Sequence, residues 1–141
     1  MTANEIEQAQ SELVGEFQLF DDWMGRYEYL IDLGKQLPEF PDDWRNEDNR
    51  IHGCQSQVWI HSELRDGRLH FDGTSDAAIV RGLIAVLFRV FNDRHPGELL
   101  ETRPDFLSDI GFAQHLSPTR SNGLHAMLES IYHRARQAAG E

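Results

Sequence analysis

Residues 58–74 constrain the fold of this chain more than any other stretch. Val58, Ile60 and Leu64 alternate with Trp59, His61 and Glu63, the period-two pattern of a half-buried strand. Asp66-Gly67 follows, a dipeptide that accepts the positive φ needed at both central positions of a two-residue hairpin turn. Closing the chain there sets Leu64 opposite Leu69 and Ser62 opposite Phe71, so Val58, Ile60, Leu64, Leu69 and Phe71 share one face. A one-residue slip would turn that whole set toward water, so turn chemistry and apolar pattern specify a single register. An antiparallel hairpin over about 58–74 is predicted, and something must cover its apolar face.

Helices supply the cover. Thr2 and Glu5 have capping-box spacing, followed by Ile6, Ala9, Leu13, Phe17 and Phe20 at helical intervals. Asp21 or Asp22 caps a second helix with Trp23, Tyr27, Leu30 and Ile31 on one stripe. Pro38 and Pro41 end it and open a polar loop to about Asn49. After the hairpin, Ser75 or Asp76 starts a helix from Ala77 to about Asn92, apolar at Val80, Leu83, Ile84, Leu87, Phe88 and Phe91. Pro96 and Pro104 fit the first turns of short helices. Ser117-Pro118 opens the last helix, with Leu124, Met127, Leu128, Ile131 and Tyr132 inward. The expected class is α+β: a small antiparallel sheet flanked by helices. With 141 residues and no internal repeat or linker, one domain over 1–141 is expected.

Charge narrows the partners. Asp and Glu number 24 against 13 Lys and Arg, a net charge of −11, which repels nucleic-acid phosphates and anionic membranes. The polar start, Met1 to Gln10, lacks the basic and apolar segments of a signal peptide. Arg81 and Arg89 interrupt the longest apolar stretch, Ile79 to Phe91, which is too short to span a bilayer. A single cysteine forms no internal disulfide, and a cytoplasmic location is expected.

That cysteine, Cys54, is the candidate reactive group. A lone cysteine often serves as a small core hydrophobe. Here Gly53 precedes it, Gln55-Ser56-Gln57 follows it, and the strand starting at Val58 comes next, which puts the thiol on a loop at the rim of the sheet. Gly53 permits a tight turn and leaves a reactant room to approach the thiol. A free thiol is mostly protonated at neutral pH unless a positive charge stabilises its thiolate. His52 is close in sequence and would help if charged, although an exposed loop histidine is commonly just solvated. Arg50 and Arg120 are further sources of a positive field. The seven histidines form no helical i, i+4 pair, and one thiolate is too few for an iron–sulfur cluster, so no resident metal or cofactor is expected. His115, His125 and His133 carry no local signature of a cysteine hydrolase, and no second thiol is present to resolve a peroxidase or redox sensor.

The run Ile51-His52-Gly53-Cys54-Gln55-Ser56-Gln57-Val58-Trp59 resembles the cysteine loop of the SufE family of sulfur acceptors, CsdE-like proteins included. The likeness extends to Tyr29–Gly34 with Leu37-Pro38, to Gly73–Val86 and to Gln114–Leu124, in order along the chain. The resemblance implies an α+β fold like that of NifU-type scaffolds. It also implies a pyridoxal-phosphate cysteine desulfurase of the SufS or CsdA type as partner. The cysteine matching Cys54 would take the desulfurase's persulfide sulfur, speed its turnover and pass the sulfur to an iron–sulfur scaffold. The alternative is an allosteric activator that carries no sulfur. His52 departs from the glutamine expected at this position in many relatives, which weakens any requirement for a histidine.

Overall fold

The computed structural model describes residues 2–140, and the side chains of residues 5–140. The Thr2 half of the expected capping box lies outside the described side chains. Helix α1 (Thr2–Gln18) buries Ile6, Leu13 and Phe17, and Phe20 falls beyond its end. Helix α2 (Trp23–Lys35) is capped by Asp22, whose carboxylate accepts the Gly25 N–H at 2.8 Å. A single 3₁₀ turn, Asp42–Trp44, interrupts the polar loop that follows.

Strands β1 (Val58–Arg65) and β2 (Arg68–Ser75) pair antiparallel in the expected register, Leu64 with Leu69 and Ser62 with Phe71. Asp66 (φ 54°) and Gly67 (φ 79°) both take the left-handed conformation that the turn demands. Val58, Ile60, Leu69 and Phe71 are buried, but Leu64 is 52% exposed. The core beneath β1 ends before its last turnward residues, so Leu64 opens onto a groove instead of joining the core. Both outer edges of the hairpin are paired. Ile51 donates to the Val58 carbonyl and Ile60 to that of Asn49, each at 2.9 Å, while Leu69 and Asp93 close the β2 side.

Helix α3 (Ala78–Phe91) is apolar on nearly every side and occupies the centre. Its N-cap is Ala77, not Ser75 or Asp76; the Ser75 hydroxyl instead accepts the Ala77 N–H at 3.2 Å. Gly34 and Gly82, isolated glycines in the sequence, set the crossing of α2 and α3. A Cβ on Gly82 would lie 2.3 Å from the Leu30 carbonyl oxygen, and one on Gly34 would lie 2.6 Å from the Gly82 nitrogen. Short helices α4 (Pro96–Glu101), α5 (Asp105–Ile110) and α6 (Phe112–His115) lead to α7 (Pro118–Ala138). Pro96 opens α4 as expected, whereas Pro104 is the residue just before α5. Ser117 caps α7 by accepting the Arg120 N–H, and Leu124, Met127, Leu128 and Ile131 face inward. The architecture is α+β, and no helix among the described residues is long and apolar enough to cross a membrane.

Candidate functional site

The pairing of Asn49 and Ile51 with β1 closes residues 52–57 into a loop at the end of the hairpin. Asn49 is buried and fastens the approach, donating from its side chain to the Trp44 carbonyl at 2.9 Å. Ile51 sits in the core, and Gly53 turns the chain with φ +93°, a conformation costly to any residue with a Cβ. On the far side, Asp76 accepts the Gln57 N–H at 3.1 Å, tying the loop to the approach to α3.

Cys54 is half-buried between this loop and α7, its thiol 3.6 Å from the Gly123 carbonyl oxygen to which it donates. Gly123 is buried on α7, and a Cβ there would stand 3.5 Å from the sulfur. The helix therefore presents a notch to the thiol. Cys54, Gln55 and Ser56 line a cavity of about 350 Å³, whose other walls are Val80 and Leu83 from α3 and Thr119, Arg120, Leu124 and Met127 from α7. Aliphatic side chains form its inner wall, and Arg120, on the first turn of α7, stands exposed on its rim.

Burial pushes the Cys54 thiol above its ordinary pKa, and the positive charge of Arg50 opposes that shift only in part. The resting group is a protonated thiol. His52 is turned away from the sulfur: its Nε2 pairs with the Glu47 carboxylate at 2.7 Å, the ring is exposed, and it is not part of the cavity wall. Of the sequence candidates, Cys54 and Arg120 meet around one cavity, while Gly53 turns the loop just before it and His52 stands outside it. His115, stacked on Trp23 at 4.2 Å, and His125, paired with Glu129, are likewise outside. Trp44 packs on His61, ring centroids 3.7 Å apart, which accounts for it within the fold.

Gly123 was not among the candidates that sequence reasoning singled out. Its signal was a glycine inside a helical run, a position that costs about 1 kcal/mol relative to alanine and so asks for a packing reason. What it faces is a sulfur 69 residues away in sequence, with room left for a Cβ in ordinary contact. Among the described residues no group of three or more His, Cys, Asp or Glu side chains is arranged to hold a metal ion.

A SufE-like protein of Rhizobium meliloti (strain 1021) is 40% identical over 125 residues, covering 85% of this chain and 89% of its own length. A hypothetical protein from Thermus thermophilus, solved in solution, superposes with a TM-score of 0.77 at 21% identity, over 94% of this chain and 97% of that one, and shows the same fold. The family described as SufE, an Fe-S metabolism associated domain, matches residues 11–135. The chain therefore belongs to the SufE family, and with it to Fe-S metabolism.

Proposed function

We propose that Cys54 is a sulfur carrier, charged by a pyridoxal-phosphate cysteine desulfurase and discharged to an iron–sulfur scaffold. The Cys54 thiolate attacks the outer sulfur of the donor's persulfide. A new S–S bond forms on Cys54 as the donor's S–S bond breaks, and the donor cysteine leaves as thiolate. The proton that Cys54 gives up finishes on that leaving thiolate. One sulfur atom changes partner with no net oxidation, so the step calls for no oxidant or reductant.

The observation that carries this reading is the position of the chain's sole thiol in a cavity walled by Val80, Leu83, Leu124 and Met127. Those side chains would keep water and small reductants from a persulfide. The Gly123 notch leaves space beside the sulfur, and the positive field of Arg50 would favour the negative charge of a persulfide anion. A resting thiol held protonated is inert, which suits a carrier that should react only when a donor has docked.

Desulfurase turnover, followed as alanine released from cysteine without added reductant, tests the assignment. Wild-type protein is expected to raise the rate and Cys54→Ser to leave it at the level of desulfurase alone. Equal stimulation by Cys54→Ser would favour allosteric activation and overturn the carrier assignment.

A further inference from the structure

A second groove, about 640 Å³, lies between β1 and the C-terminal half of α7, and Arg50, whose charge also acts on Cys54, lines it. Arg134 sits in it half-buried, donating to two neutral oxygens, the Ser62 hydroxyl at 2.9 Å and the Ser130 hydroxyl at 3.2 Å. No carboxylate among the described residues pairs with it. Glu63, which also lines the groove, is turned to Arg65 at 2.7 Å, and Asp48 is exposed. Burial lowers the Arg134 pKa with no acidic neighbour to offset it, as expected of a cation short of a counter-charge. Such a site is unexpected on a chain of net charge −11, where carboxylates outnumber guanidinium and ammonium groups. Leu64, 52% exposed, lies in the same groove.

We propose that this groove is a docking subsite for a protein that engages the Cys54 loop, with Arg134 receiving a carboxylate of that protein and Leu64 an adjacent apolar side chain. A guanidinium already fixed by two hydroxyls offers its remaining N–H groups to a carboxylate at little entropic cost. The chain's net charge of −11 repels a generally acidic protein, so the match is one acidic residue beside an apolar one on a partner that is not itself strongly acidic. Arg50 joins groove and thiol: a carboxylate drawn toward Arg50 would weaken the one positive field acting on Cys54, whereas one held at Arg134 leaves that field intact. The proposal takes from the carrier reading only that a protein docks at Cys54, and its test uses no desulfurase and no sulfur transfer.

The test is an NMR titration of the full chain, following the Arg134 side-chain N–H and the Leu64 methyl signals. The probes are a short capped peptide with glutamate next to leucine, its glutamine counterpart, and inorganic phosphate. The glutamate peptide is expected to shift both signals saturably, and the glutamine peptide to leave Arg134 unmoved. Arg134→Gln should weaken binding by about tenfold, the scale of one charge-assisted contact. Leu64→Gln, at an exposed position outside the core, should weaken it less and serves if the arginine variant folds poorly. Equal shifts with both peptides, no shift at all, or a full Arg134 response to phosphate but not to the glutamate peptide would overturn the proposal.

Discussion

At the residue scale, the proposed chemistry rests on Cys54 and on Gly123 beside it. Because the thiol is held above its ordinary pKa, alkylation of Cys54 should rise with pH later than alkylation of an unfolded cysteine, and Arg50→Gln should delay it further. The same shift links to stability. A raised thiol pKa makes the folded state hold its proton longer than the unfolded chain, so that contribution is complete below the ordinary thiol range of about 8–9 and is lost as pH rises above it. Urea melts on the alkaline side should show this loss in wild-type protein and not in Cys54→Ser. Gly123→Ala separates stability from reactivity: the methyl fits at 3.5 Å from the sulfur, so helix propensity should add about 0.5–1 kcal/mol while the filled notch slows thiol modification. A more reactive Gly123→Ala would remove the notch from the account. The loop position of Cys54 and the turn at Gly53 were legible in sequence because a polar, glycine-led loop before a strand is a local pattern. Gly123 and the true orientation of His52 were not, since each depends on a partner brought in by folding, Cys54 and Glu47 respectively.

Among the elements, the hairpin was readable because two independent local signals, Asp66-Gly67 and the alternation, agree on one register. Its limit was equally physical: alternation says which residues share a face but not how far the covering layer extends, and Leu64 lies beyond it. The α2–α3 crossing was hidden because close approach is a tertiary property of Gly34 and Gly82. Gly82→Ala should therefore destabilise by about 1–3 kcal/mol in a urea melt, despite alanine's better helix propensity, because its methyl meets the Leu30 backbone. Two turns, at Gly67 and Gly53, hold glycine in the left-handed region. With φ +79° and +93°, both positions strain a side chain, so Gly67→Val and Gly53→Val should each lose about 1–3 kcal/mol. Only Gly53→Val should also slow sulfur acceptance at equal folded fraction, a comparison that a single-turnover assay makes directly.

Across the whole molecule, α1, α2 and α3 are tied by one polar cluster at the edge of the core. Arg89 on α3 holds Glu16 on α1 through two hydrogen bonds, at 3.0 and 2.6 Å, and the Tyr29 hydroxyl of α2 donates to the same carboxylate. Arg89 keeps the Glu16 carboxyl below its usual pKa, so its contribution is present at neutral pH and lost as pH falls through the lowered value. With about a third of each side chain exposed, Glu16→Gln should cost about 1 kcal/mol at neutral pH and flatten part of the acid limb of the stability profile. This scaffold matters to function because α3 and α7 form the fixed walls against which the Cys54 loop rests. The most direct test is the intact mass of the protein after incubation with an active cysteine desulfurase and cysteine. A gain of one sulfur atom, reversed by a thiol reductant and absent in Cys54→Ser, is the predicted result. An unchanged mass while the desulfurase is turning over would contradict the carrier assignment.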